Sequence, residues 1–496
     1  MEIELKNEIG LDPESWEDIR DLGYQMVDDM IEFLKNIREK PAWKEIPEEV
    51  KSTYKAKLPK EPSCIKEVYG EFKQNIFGYA KGNVHPRFFS WVEGNGTAFG
   101  ALSDFMASTM NSNVAIGNHS ALYIENQVIS WCKEMMGFSE QATGMLVSGA
   151  SIANITSLIV ARNAVSGKMK EDGLYSVDKK LVAYCSTETH NCVTKAIEVI
   201  GLGNNQLRKI GVNDKFEIDI NLLIKQIERD KKDGMLPFCI IGNAGTVNTG
   251  AFDDLNKLLE VVRTENMWLH IDGAFGALAK LVPEYQDRLK AIEEADSLAF
   301  DFHKWLYVNY EVACVLIKHP ELHRKTYASP ANYLLAHDRG LAAGPDAFSN
   351  YGMELSRGFK ALKVWMSLKE NGINKYKKLI NQNIQQSRYL GQQVEKNKKL
   401  ELITEVSLNI VCFRYVNTKF TGKELNELNK ELLMRLHESG VATPSYTLLN
   451  GIYAIRVANT NHRTRKHDLD LMLDTCIKIG DELSKEFSKM LTHESN

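Results

Sequence analysis

Asp296-Ser297-Leu298-Ala299-Phe300-Asp301-Phe302-His303-Lys304-Trp305 is an apolar run that delivers one histidine and one lysine into hydrophobic surroundings. A lysine among Phe300, Phe302, Trp305 and Leu306 loses the hydration its charged form needs, so its proton affinity is expected to fall and its amine to become nucleophilic. The competing reading is a lysine at a strand end whose ammonium snorkels out to water. The neighbouring stretches choose between the two.

Upstream of this run, from Gly144 onward, short apolar strands alternate with helices. Met145-Leu146-Val147 precedes a helix over Ser151 to Val165, and Leu181 to Tyr184 precedes one over Val193 to Ile200. Phe238 to Gly242, a helix around Leu255 to Arg263, Met267 to Asp272 and Ser297 to Phe300 continue the series. This is α/β patterning. Strands so short and uniformly apolar predict a mainly parallel sheet buried on both faces, with functional residues at the carboxyl ends. Beyond a helix near Ser356 to Glu370 the character changes. Leu400 to Ile403, Asn409 to Arg414 and Tyr453 to Val457 read as strands of a small α+β unit, with helices near Lys423 to Glu438 and Arg465 to Phe487. At the other end, Asp12-Pro13 reads as a cap and first helical position, followed by apolar residues at helical spacing from Trp16 to Ile37. That long apolar face packs on the body of the protein or on a partner. The expected organisation is residues 1–85 as a helical segment, 86–367 as the large domain and 368–496 as the small C-terminal domain.

Length and composition agree: 496 residues exceed one ordinary core, and 44% hydrophobic with 25% charged residues is ordinary for a soluble globular protein. With 61 Lys and Arg against 65 Asp and Glu, nothing points to nucleic acid or an anionic membrane. The eight cysteines show no C-x-x-C pairing, so reduced thiols and no metal site are expected. The N-terminus lacks the order of a signal peptide and no run is long enough to span a membrane, which together predict a cytoplasmic protein.

Four strand ends carry the chemistry. Ser148-Gly149-Ala150-Ser151 lies where a strand gives way to a helix, and the free N–H groups of a helix start can hold a phosphate; an ordinary capped turn is the alternative. His190 follows Leu181 to Tyr184 and can stack on a flat ring. Thr246, in Gly242-Asn243-Ala244-Gly245-Thr246, can bond a ring substituent or simply sit in a polar turn. Asp272 closes Leu269-His270-Ile271 and is followed by small residues, Gly273-Ala274, that let a flat ligand lie close. A carboxylate there pairs with a pyridine N–H, or caps a helix. Phosphate cradle, stacking histidine, strand-end aspartate and apolar lysine arrive in order on one sheet, a set that suits pyridoxal 5'-phosphate (PLP) held as a Schiff base.

On Asp301-Phe302-His303-Lys304-Trp305, His270-Ile271-Asp272-Gly273-Ala274, Asn243-Ala244-Gly245-Thr246 and Thr189-His190, the chain resembles the group II PLP-dependent amino-acid decarboxylases, of the aromatic-L-amino-acid decarboxylase kind. The resemblance implies the PLP-dependent transferase fold of type I, with a mainly parallel seven-stranded-type sheet and a small C-terminal domain. It implies that Lys304 carries the cofactor, that Asp272 pairs with the ring nitrogen and that His190 stacks on the ring. Ala150, Ser151 and His303 are then expected at the phosphate, and Thr246 and Ala274 at the ring. Trp91, Val92 and Ile116 are expected in the substrate pocket, Ile116 with Val114 and Ala115 reaching in from the second subunit of a homodimer. Ser329-Pro330-Ala331-Asn332-Tyr333-Leu334 is similar to the family's mobile loop, whose tyrosine, here Tyr333, is expected to return a proton to Cα. The implied reaction is decarboxylation of an L-amino acid, most naturally an aromatic one, to its amine. The alternatives are oxidative decarboxylation to an aldehyde, an acidic or diamino substrate, and a catalytically silent PLP binder. Two departures from the animal aromatic enzymes stand out: Val92-Glu93-Gly94 in the aromatic stretch, and Asp301 where those enzymes have Asn. Arg87 and Arg357 are candidates to face an anionic substrate or to make structural ion pairs, the commoner fate of an arginine.

Overall fold

The computed structural model describes residues 9–329 and 337–494. Among them, twelve strands form two sheets. β1 (Phe88–Phe89) belongs to the second; β2 (Thr143–Val147), β3 (Leu181–Ser186), β4 (Leu207–Ile210), β5 (Leu236–Asn243), β6 (Trp268–Asp272), β7 (Ser297–Asp301) and β8 (Ala313–Ile317) form the first. Its order is β2-β8-β7-β6-β5-β3-β4. Only β8 runs against the others, antiparallel to both β2 and β7. Every residue of β6, β7 and β8 is buried, which is why these segments read as continuous apolar runs rather than alternating ones.

The second sheet, in order β1-β11-β12-β10-β9, adds β9 (Leu400–Leu402), β10 (Ile410–Tyr415), β11 (Thr443–Leu449) and β12 (Ile452–Ala458). Each sheet has its own hydrophobic core. The helix Ala361–Lys396, kinked at Gly372 where φ is +65°, runs through both: Val364, Ile380 and Ile384 pack in the first core, Leu390 and Val394 in the second.

Several expectations change. The N-terminal helix begins at Trp16 with Ser15 as its cap, the Ser15 hydroxyl accepting from Asp18 N–H, and not at Asp12-Pro13. Ser fits this better because its side chain closes back on a free first-turn amide. The helix expected over Ser356 to Glu370 begins at Ala361 and continues to Lys396. β4, β8 and β11 are additional to the strands expected. Phe88 and Phe89 leave the aromatic stretch to pair, in parallel, with Thr443 and Pro444. All eight cysteines are free, and among the described residues no helix is long and apolar enough to cross a membrane.

Candidate active site

Because the strands from β3 to β7 are parallel, their carboxyl ends share one edge, and the sequence-selected residues collect there. β7 ends at Asp301 and the chain turns at once into a short helix, Phe302–Trp305. The aromatic side chains of Phe300, Phe302 and Trp305 go into the core. Lys304 goes the other way, and its Nζ lies 2.8 Å from Asp301 Oδ2, one helical turn back. This overturns the expectation of a depressed lysine. Burial pushes the ammonium down, but the Asp301 carboxylate, with Asp272 beyond it, outweighs burial and holds Lys304 above its ordinary value.

The other Asp301 oxygen accepts from Ala150 N–H at 2.7 Å, at the first turn of the helix Ala150–Ala164. One carboxylate therefore ties the lysine to the helix start. His303 is buried beside it, with Nε2 3.8 Å from Asp301 Oδ2 and with Nδ1 against the Val312 backbone, 2.9 Å from its O and 3.1 Å from its N. Burial lowers the imidazole's proton affinity. Gly149 faces His303, whose Cε1 would lie 3.8 Å from a side chain there; Ser151 is exposed at the same helix start.

Asp272, at the end of β6, is buried, and burial pushes its carboxyl up. Two donors favour its charged form: Ala274 N–H to Oδ1 and Asn154 Nδ2 to Oδ2, both at 3.2 Å. Asp301 N–H donates to Ala274 O at 2.9 Å, locking the two strand ends together. His190 caps the helix Asn191–Val199, its Nδ1 accepting from Cys192 N–H at 3.2 Å. The residue is exposed, and burial of the ring lowers its proton affinity while the Asp272 charge raises it. Thr246 is buried; its hydroxyl meets that of Thr249 at 3.1 Å. The turn that follows is held by Arg456, which donates to Val247 O, to Asn248 O at 3.2 Å and to Ser445 Oγ at 2.9 Å. Burial brings this guanidinium down to about 10.

The aromatic stretch forms a second wall. Trp91 is 54% exposed, at a backbone φ of +54° that few tryptophans adopt, with Lys81 Nζ 4.3 Å above its ring. Val92 is packed into the core. Gly94 N–H donates to His303 O at 3.0 Å. Tyr310 lies against His303, ring centres 4.3 Å apart. Val114 and Ala115 are fully buried in their own chain, and Ile116 is half-buried. Tyr333 lies outside the described residues.

The two arginines are committed elsewhere. Arg357 is buried, pairs with Glu125 and donates to Val114 O at 2.9 Å and Leu146 O at 2.7 Å. Arg87 donates to Val441 O at 2.6 Å and lies 3.4 Å from Asp468. Reading the residues in order misses Asn154 and Gly94. A signal for Asn154 exists: a polar amide on an otherwise apolar helix face demands a partner.

Residues 47–416 match the family model described as the pyridoxal-dependent decarboxylase conserved domain. An aromatic-L-amino-acid decarboxylase of Bacillus atrophaeus is 35% identical over 478 residues, 95% of this chain and 97% of the relative. A phenylacetaldehyde synthase of Petunia hybrida is 26% identical, covering 90% of both chains. The fold is that of the solved tryptophan decarboxylase of Catharanthus roseus in complex with L-tryptophan, at a TM-score of 0.85 and 24% identity, over 95% of this chain and 100% of that one. With the lysine, the strand-end aspartate and the helix start gathered on one sheet edge, and a match over most of its length, the chain belongs to the pyridoxal-dependent decarboxylase family.

Proposed function

We propose that the protein decarboxylates an aromatic L-amino acid to the corresponding amine, with PLP as cofactor. The observation that carries the substrate class is the commitment of Arg87 and Arg357 to internal partners, which leaves neither guanidinium free to pair with an acidic substrate side chain. The 35% identical relative over nearly the whole chain supports the same class.

The residues fit the cofactor. Gly149 leaves open space before His303, and Ser151 stands exposed at a helix start. When bound, PLP supplies an electron sink for the pair left as the bond from Cα to the carboxylate breaks. Lys304 would hold the cofactor through its amine. Ser151 and His303 would hold the phosphate at the helix start, with Ala150 beside it giving its own N–H to Asp301. Asp272, whose charged form the Lys304 charge and the Ala274 amide favour against burial, would pair with the ring nitrogen and keep it protonated. His190, with Nδ1 occupied by the Cys192 amide, presents its ring face and an Nε2–H to the cleft, and Thr246 and Ala274 border the ring. Tyr333 is assigned the return of the proton to Cα.

We place the protein in the cytoplasm, where its eight free thiols stay reduced. It works as a homodimer: Trp16, Tyr24 and Met26 on the first helix, with Phe105 and Met106 on the helix Ala98–Met110, leave an apolar surface of the kind a second subunit covers.

The test follows carbon dioxide, amine, ammonia and peroxide together, with PLP and a panel of aromatic, acidic and basic L-amino acids. Amine in step with carbon dioxide, strongest for Trp, Tyr or Phe, is expected. Peroxide and ammonia in step with carbon dioxide would move the reaction to aldehyde synthesis. Lys304→Ala should abolish turnover while the fold is kept.

A further inference from the structure

Trp268, His270 and Asp272 alternate along β6, so all three side chains stand on one face of the sheet. Ser297 is the cross-strand neighbour of His270 on β7. Asn154 comes down onto them from the helix Ala150–Ala164 and is fully buried. The spacing lets one asparagine touch both the histidine and the aspartate.

The hydrogen bonds have one direction. An indole N–H can only donate, so Ser297 Oγ accepts from Trp268 Nε1 at 2.8 Å. The Ser297 hydrogen is then free for His270 Nδ1, 2.9 Å away. With Nδ1 accepting, the His270 proton is on Nε2 and goes to Asn154 Oδ1 at 2.7 Å. The amide's other end must therefore be its NH2, which donates to Asp272 Oδ2 at 3.2 Å and to Cys192 Sγ at 3.3 Å. Were the amide reversed, its oxygen would face the Asp272 carboxylate and repel it.

Resting on the PLP reading above, we infer that Trp268, Ser297, His270 and Asn154 form a one-way hydrogen-bond relay that fixes Asp272 in the charged, oriented form the cofactor's ring nitrogen needs. His270 and Asn154 are positioning residues, acting through Asp272. Burial supports this: it holds His270 neutral, down to about 3, so its single N–H stays committed to Asn154 across the working pH range. The same burial pushes the Asp272 carboxyl up, so each donor turned toward it, Asn154 Nδ2 among them, favours its charged form.

The test uses a readout that packing alone does not move. Apoprotein is titrated with PLP and with the analogue in which the ring nitrogen is replaced by C–H, and the ratio of the two affinities is taken. The unaltered protein is expected to prefer PLP. His270→Phe, which fills the same space but frees Asn154 to turn, should cut that preference about tenfold with affinity for the carbon analogue retained. His270→Gln, able to accept from Ser297 and donate to Asn154, should restore it. If His270→Phe does not fold, Ser297→Ala, which leaves the histidine proton unassigned, should cut the preference by about threefold. Equal loss for both ligands, or an unchanged preference in folded His270→Phe, would overturn the relay. Failure of the unaltered protein to bind PLP would instead overturn the cofactor reading on which it rests.

Discussion

Replacing Asp301 by Asn should make the protein capture its cofactor faster. Capture requires a neutral Lys304 amine, and the structure shows what keeps it charged: a carboxylate oxygen 2.8 Å from Nζ. At that distance and an effective dielectric of about 20, the gross attraction is about 6 kcal/mol. Desolvation of both groups takes back much of it, and a hydrogen bond to a charged group nets about 1.5–3 kcal/mol. At about 1.4 kcal/mol per decade, Asp301→Asn should raise the neutral-amine population, and with it the uptake rate near neutral pH, by about ten- to a hundredfold. The amide carbonyl can still accept from Ala150 N–H, so the helix start keeps its cap. The assay is stopped-flow uptake of PLP by apoprotein, read by the cofactor's visible absorption from pH 6 to 10, with Lys304→Ala as the blank. The gain should shrink as pH rises, because the unaltered lysine then loses its proton anyway. Relief of repulsion between Asp301 and a phosphate would give a gain indifferent to the lysine's titration. An uptake rate that is unchanged, or lower, in a variant of unaltered thermal stability would refute the reasoning.

Gly94→Ala should lower kcat/KM by about a hundredfold by displacing the Trp91 wall, because a side chain at Gly94 would lie 2.4 Å from the carbonyl oxygens of both His303 and Lys304; unaltered kinetics would show that the wall does not need this approach. Arg456→Met should destabilise the protein by about 2–4 kcal/mol in urea unfolding, since it leaves the Val247 and Asn248 carbonyls without their buried donor; a loss below about 0.5 kcal/mol would mean that water replaces the guanidinium there. Stability should also fall with acid. Burial lowers His85, His323 and His462 to about 4 and His270 to about 3, so the unfolded chain binds the extra protons, and the stability present above pH 6.5 is lost as pH falls through that value. Asp253 opposes this: burial raises it to about 6, so the folded state binds its proton first and gains as pH falls from about 6. By pH 5 the four histidines outweigh the one carboxyl, for a net loss on the order of 5 kcal/mol. Urea unfolding of apoprotein at pH 7 and pH 5 measures it, and equal stability at the two would contradict the buried neutral histidines.

The alternation of strands and helices after Gly144 was legible because each strand of a buried parallel sheet is apolar along its whole length, a property of the segment itself. Which strand lies beside which is not such a property. The reversal of β8, and the departure of Phe88-Phe89 to pair with Thr443 and Pro444, depend on partners far along the chain. The site divides in the same way. Lys304, Asp272, His190 and the start of the helix at Ala150 could be picked out by residue type and by their places at strand ends. The protonation of Lys304 could not be read from its apolar neighbours, because Phe300, Phe302 and Trp305 turn into the core while the amine turns back to Asp301. Their spacing of three along the short helix was present in the sequence. What was missing was that Asp301 also reaches Ala150, 151 residues away, and that Asn154 reaches His270, 116 residues away. Asp301, Asp272 and Lys304 share one buried region, so the protons on Lys304 and Asp272 depend on the charges around them. A reading of any single segment therefore yields residues that gather at one sheet edge but not their electrostatics, and here the sign of the lysine's shift depends on a contact that only the fold creates.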